Sequence, residues 1–479
     1  MKKIKLLALL AAVILCLQSC GIIIINDIHG KDTESVTEDE SGRETETKEV
    51  KEIIIDKQTS DEMKKKADET LEGLDTQKYT GMRILVAVTD TLFYEGDGSL
   101  TPLTSDRVIR ADKIEQKLGA TVSVVGFSED ELFDKLKSSG RKKEYFADVI
   151  AVPISMVGKL CAEEVIISLR TVPGLDLEAG YFDTDSLSAF SCGHNTYAVS
   201  GDGCFEPEKT YCVYFNKDMA KQLGYDLHSL VSDGKWTLEK YAECVSAAVS
   251  AGSTSVVMKN AEKYKKMLIT GSGFDFTDTD IDKTPSANTF TDEYGKKTEL
   301  LSALPQASQP AEPMIDFLSG GSLFYIDTLL AAEKMADSPL VWGMLPMPKY
   351  NEEYEYGAYI SEDAVVLCVP NYAADNRMSG DFIEAFCAAS SEYIKYDFLY
   401  HNMLDVLRDN GSVNSLNIVM NNPNYDFVFA MKGGYPNLYA NTAGAFDEMI
   451  SGTLTFDVYK QREEDVAAYM EKWFPVTHR

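Results

Sequence analysis

The chain has 479 residues and a formal net charge of −30, from 46 Lys plus Arg against 76 Asp plus Glu. At roughly 100 to 200 residues per domain this allows two to four domains, and 44% hydrophobic with 10% aromatic residues is enough to bury sizeable cores. A surface this acidic repels phosphate backbones and anionic headgroups, which excludes nucleic-acid binding and membrane attachment through a polybasic patch.

Lys2, Lys3 and Lys5 precede a continuous apolar stretch from Leu6 to Leu17. The stretch is too short to span a ~30 Å hydrocarbon core comfortably and reads as an export signal over residues 1–19. Leu17, Gln18, Ser19, Cys20 and Gly21 follow, an order that resembles the lipobox of bacterial lipoproteins. The resemblance implies cleavage before Cys20 and a lipid on its sulfur, placing the protein on the outer face of the cell membrane. Acyl chains contribute about 0.8 kcal/mol per buried CH₂, so a multiply acylated Cys20 is anchor enough. An ordinary signal peptide with an incidental Cys is the other reading.

Of nine Cys, the seven beyond Cys20 form no CxxC pair, and their odd number gives no disulfide framework. They are expected to be buried small apolar residues, although Cys192, Cys204 and Cys212 are close enough in sequence for one bridge.

From Cys20 to about residue 79 the chain is rich in Glu, Asp, Lys, Thr and Ser, with apolar clusters only at Ile22–Ile25 and Ile53–Ile55. Such a segment cannot bury enough surface to fold alone and reads as an acidic tether, with a short helix around Glu62 to Leu74. Alternating elements follow. Arg83–Thr89 is a continuous apolar run, as a strand buried on both faces should be; helical spacing over Asp106–Leu118, a strand at Thr121–Phe127, a helix at Glu129–Ser138 and a strand at Ala147–Val152 complete a βαβαβ unit. That order requires a parallel sheet with right-handed crossovers, whose ligands bind beyond the carboxyl ends of the strands, in the loops starting at Asp90 and Pro153. A second α/β block spans Val213–Gly320. Strand-like segments at Ser322–Asp327 and Ala364–Val369 and a mainly helical stretch from Asp381 follow.

Val213–Tyr241 (VYFNKDMAKQLGYDLHSLVSDGKWTLEKY), Ser322–Asp327 (SLFYID) leading to WGMLPMPKY at Trp342–Tyr350, DVIAVP at Asp148–Pro153 and MLDVL at Met403–Leu407 resemble, in order and spacing, motifs of the family 1 extracellular solute-binding proteins. These are the capture subunits of bacterial ABC importers. The resemblance implies an α/β, two-lobed periplasmic-binding-protein-like fold (class II) with a hinge between lobes. Crossings are then expected near Cys204–Cys212, near Phe324–Thr328 and around Tyr396. Lobe one becomes 80–205 plus 329–395 and lobe two 206–328 plus 396–479. The implied partners are a small solute, a carbohydrate first of all, and the permease subunits; a monomer is expected. A sensing or glycan-capture lipoprotein of the same fold, or a surface glycosidase, are the alternatives.

Sugars present hydroxyl edges and apolar faces, so their sites need aromatic planes beside carboxylates or amides. Asp90, Thr91, Phe93 and Tyr94 after the first strand supply both kinds of group, and Ser155 and Met156 follow the third. Asp327 and Thr328 sit where the family's returning strand reaches the cleft, and Tyr435 and Tyr439, beside Gly433 and Gly434, are placed to close over a ligand. Leu329 and Leu330 stand where maltodextrin-binding relatives have tryptophan, which argues against a long oligosaccharide stack. Trp236 and Trp342 are expected to be structural, the first opening a helix and the second packing under the LPMP turn. The run Asp275, Asp278, Asp280, Asp282 has Lys283 where an EF-hand needs Gly, and reads as a solvated turn rather than a metal site. The five His are scattered, and no HExxH, GxSxG or P-loop occurs, so no catalytic residue and no cofactor is expected.

Overall fold

The computed structural model describes residues 65, 68–73, 78–90, 94, 101–280 and 283–475, all within the compact unit Glu52–Arg479. The export signal, Cys20, most of the tether, and Thr91 and Phe93 lie outside the described residues. Of the expected tether helix, residues 65 and 68–73 are helical.

Strand β1 (Arg83–Val88) pairs in parallel with β2 (Thr121–Gly126) and β3 (Val149–Pro153), with Val86 facing Val124 and Val149. All five residues of β3 are buried, the continuous apolar run of a strand covered on both faces. Helix α1 (Pro102–Leu118) starts where the Thr101 side chain accepts from the Thr104 N–H and stops at Gly119, whose φ of 67° is the left-handed cap. Helix α2 (Glu129–Lys142) starts on a capping box in which Ser128 and Glu131 bond each other's backbone N–H. The expected βαβαβ unit is present.

A second sheet is built on β4 (Thr210–Asn216), flanked by β6 (Ser322–Thr328) on one side, with β5 (Thr254–Met258) parallel beyond it. On its other side β4 pairs with β7 (Trp342–Leu345) and β8 (Ala358–Ile360). The chain then returns to the first sheet as β9 (Val365–Cys368), antiparallel to β3, and adds β10 (Pro423–Asn424) beside β8. Between these, α3 (Leu238–Ser250) covers β5, α4 (Asn376–Ser390) packs on α1, and α5 (Asn410–Asn421) packs on β7.

This departs from the expected partition. Phe324–Thr328 is no crossing, because β6 is paired on both edges inside the second sheet. Residues 342–345 and 358–360 belong to that sheet, and the return to the first occurs over 361–364. Val199 is bridged to Leu367 of the first sheet, and β4 of the second begins at Thr210. Helical residues 391–403, between α4 and α5, include Tyr396.

Side chains alternate between two cores. Ile84, Val86 and Val88 join Phe382 and Phe386 under α4, whereas Ala87, Ile150 and Val152 join a larger core that runs through Phe427 and Met431 to the second sheet. Trp236 is fully buried; its Nε1 donates to the Pro346 carbonyl at 3.0 Å, so Trp236, rather than Trp342, is tied to the LPMP turn. Trp342 instead donates to the Met335 carbonyl and packs edge-on to Tyr214. The seven cysteines are free thiols, five of them buried. The acidic run is not uniformly solvated: Asp278 is exposed, but Asp275 is half-buried opposite Asp426.

Candidate functional site

The strands that carry the crossings have two faces. In register, Tyr359 of β8 lies opposite Tyr211 of β4, and Tyr211 opposite Thr328 of β6, so the three side chains share one face. The Tyr211 and Tyr359 rings meet at 5.5 Å, inclined by 67°. Thr210 and Ile360, one residue along each strand, point to the other face.

Lys209 joins this aromatic face to the carboxyl end of β1. Its Nζ lies 3.1 Å from Asp90 Oδ2, 2.9 Å from Glu206 Oε1 and 3.0 Å from the Asp363 carbonyl. Glu206 is 2% exposed, and its other oxygen accepts from the Val365 N–H at 2.7 Å. Burial pushes the Glu206 carboxyl up to about 7, against the pull of Lys209. Burial weighs on the Lys209 ammonium too, but Glu206 and Asp90 outweigh it and hold its pKa above the ordinary value. The attraction in this pair is therefore real, and the desolvation of Glu206 is what it fails to cancel.

Further along the crevice stands Tyr439. The Lys266 Nζ donates to its hydroxyl at 2.7 Å and sits 5.2 Å from its ring centre; the Lys432 Nζ sits 5.6 Å from the same ring. Lys432 pairs with Glu362 and Lys266 with Asp447. Burial, then the charges of Lys266 and Lys263, lower the Lys432 pKa. Burial pushes the Tyr211 phenol up to about 12, helped by Asp327 and Asp363. The wall is sealed by close backbone contact: a Cβ on Gly434 would lie 2.1 Å from the Gly158 carbonyl oxygen, and one on Gly158 2.4 Å from that of Met431. A void of about 10 Å³ remains between Ile154, Tyr359, Glu362 and Phe429.

Among the expected residues, the structure places Asp90, Thr328 and Tyr439 on this crevice. Asp327, adjacent to Thr328, faces the other way and accepts from the Tyr325 hydroxyl and the Thr328 N–H. Tyr94 is core: its ring stacks on Phe386 at 5.8 Å, and its carbonyl accepts from Arg110. Ser155 donates its N–H to the Glu362 carbonyl and is covered by Gly433, while Met156 is buried. Tyr435 packs on Phe474 at 4.6 Å rather than over the crevice. Lys209, Tyr211, Tyr359, Glu362 and Lys432 were not legible as site residues. The one available signal was position: Lys209 and Tyr211 directly precede the VYFNKD motif.

On the opposite face of the same strands lies a cavity of about 450 Å³, bounded by Thr210, Ile360, Asp202, Lys395 and Tyr425. Asp202 is buried and paired with Lys395 at 2.9 Å. Among the described residues, no three His, Cys, Asp or Glu side chains converge to hold a metal ion, and no helix is long and apolar enough to cross a membrane.

Two sheets joined by crossing segments, with an aromatic and charged crevice at the strand ends, define a two-lobed ligand-binding protein. The chain belongs to the bacterial extracellular solute-binding proteins, whose family model matches residues 110–398. No curated protein sequence matches it. Its fold is similar to that of the sugar-binding protein MalE from Xanthomonas citri, at 11% identity and a TM-score of 0.56, covering 83% of this chain and 100% of that one. It is also similar to the galacto-N-biose/lacto-N-biose I-binding protein of the ABC transporter from Bifidobacterium longum, in complex with lacto-N-biose (12% identity, TM-score 0.51, 82% and 97% covered). The cyclic α-maltosyl-1,6-maltose binding protein from Arthrobacter globiformis is a third (13%, 0.52, 82% and 99%). At these identities the likeness is one of fold.

Proposed function

We propose that this protein captures a carbohydrate in the crevice between the Tyr211–Tyr359 face and Asp90, closes its lobes over it and delivers it to the permease subunits of an ABC importer. The observation that carries the reading is the convergence of two tyrosine rings with Lys209 and Asp90 at the carboxyl end of β1. Rings offer planes to sugar faces, and ionised side chains offer strong hydrogen bonds to hydroxyls. The sugars that the fold relatives are named for binding support the same class. The proposed lobes are 80–209 plus 361–395, and 210–360 plus 404–475, hinged over 204–210, 361–364 and the helical residues 391–403. A lipid on Cys20 holds the monomer at the outer face of the membrane, with the acidic segment as tether. Calorimetric titration of the purified protein against mono- and oligosaccharides tests the reading: a folded protein that takes up none of them, while binding amino acids or peptides, contradicts it.

A second reading puts the solute in the cavity behind the strands, favoured by its volume of about 450 Å³, which falls within the roughly 300–1,000 Å³ of small-molecule pockets. Tyr211→Ala weakens binding under the first reading. Asn421→Trp, which fills the wall of the cavity, does so under the second.

A further inference from the structure

Asp275 and Asp426 come from distant segments and meet beside a cavity of about 120 Å³ that Ser186, Ser188 and Thr277 also line. Asp426 is buried and caps the short helix Phe427–Met431; its oxygens accept from the N–H groups of Phe276 at 2.5 Å and Val428 at 2.7 Å. Asp275 stands across from it, while the Asn424 amide donates to the Thr270 and Phe274 carbonyls. Among the described residues, its buried Oδ1 has no hydrogen-bond partner, and neither has the Thr277 hydroxyl, on a side chain that is 2% exposed. Burial, and for Asp275 the facing charge of Asp426, push both carboxyls up. Two like charges facing each other out of water are costly unless a proton or a cation lies between them.

The donors here are all hard: carboxylate and hydroxyl oxygens, with no thiol or imidazole in the lining. The cavity is larger than one ion. Water in bulk occupies about 30 Å³, so a few waters fit beside the ion. Calcium takes six to eight oxygens in irregular geometry, roughly what two carboxylates, three hydroxyls and such waters offer, whereas magnesium demands a near-ideal octahedron.

We propose that Asp275, Asp426 and Thr277, with Ser186 and Ser188, form a calcium site that fastens segment 185–190 to segments 275–279 and 423–431. Segment 423–431 leads into Lys432, so the ion steadies one wall of the crevice. The site stands whatever solute the crevice takes.

Calorimetric titration of the full chain with calcium chloride, after chelator treatment, tests it, with magnesium chloride as comparator. The expected result is one site with a Kd on the order of 10⁻⁴ M, and a rise in Tm with calcium that magnesium does not reproduce. Asp275→Asn weakens calcium binding at least about tenfold, and Thr277→Val weakens it less, while Asp278→Asn on the exposed part of the run leaves it unchanged. Neither heat nor a Tm shift with calcium up to about 10⁻² M, beyond the weakest extracellular sites, overturns the proposal. So does calcium binding that Asp275→Asn leaves intact. A wild-type Tm indifferent to calcium, but raised on acidification until it matches Asp275→Asn, identifies a shared proton in place of the ion and overturns it as well.

Discussion

The two faces of the crossing strands differ in kind although they are one residue apart in sequence. One presents Tyr211, Tyr359 and Thr328 to a crevice in which lysines are held by carboxylates and tyrosines. The other presents Thr210 and Ile360 to a roomy cavity floored by the Asp202–Lys395 pair. Because side chains alternate with a period of two, a single β pairing register decides which residue serves which face. Glu206 links them: it lines the cavity, yet its ion-pair partner Lys209 reaches Asp90 on the crevice side.

The largest effect expected is from breaking that link. Lys209→Met leaves Glu206 buried without its cation, which costs about 3–5 kcal/mol when one partner of a buried pair is removed. Denaturant unfolding of the variant checks it, and a loss below about 1 kcal/mol would place the pair among exposed bridges instead. Next comes the pH dependence of the same group. Glu206 has a folded pKa raised to about 7, so the folded state holds a proton that the unfolded chain gives up near its ordinary 4.5. Its contribution is therefore greatest below pH 4.5 and is lost as pH rises to about 7. Relative to Glu206→Gln, the wild type should lose about 2–3 kcal/mol across that window. Parallel pH–Tm curves for the two proteins would remove Glu206 as the titrating group.

Smaller effects separate the faces themselves. Tyr211→Ala should weaken carbohydrate binding by about 2 kcal/mol, a fall in affinity of roughly thirtyfold at unchanged fold, as truncating an aromatic anchor does. Thr210→Val, one position away and nearly isosteric, loses only a hydrogen bond to the Glu206 carbonyl and should change affinity by less than about 0.5 kcal/mol. If the two variants exchanged effects, the solute would belong to the cavity.

How much of this the sequence could show follows from the range of the interactions. The βαβαβ unit was legible because its signals are local: the apolar run of β3, the Ser128 capping box and Gly119 each act within a few residues. The second crossing was not, because SLFYID is as apolar as an edge-paired linker or an interior strand, and only its pairing with both β4 and β5 shows it to be interior. Asp327 and Thr328 are neighbours in sequence, and the sheet sends them to opposite faces. Tyr94 and Tyr435 carry the right chemistry but find aromatic partners, Phe386 and Phe474, that lie far along the chain. Lys209 needed Asp90 and Glu206 to become recognisable, and Asp275 needed Asp426.

The central claim is that solute is held on the Tyr211–Tyr359 face. A crystal structure of the protein with the carbohydrate that raises its Tm most tests it directly. The account predicts sugar density against the rings of Tyr211 and Tyr359, within hydrogen-bond reach of Lys209 or Asp90. Sugar density beside Thr210, Ile360 and Asp202, with the Tyr211 face unoccupied, would contradict it.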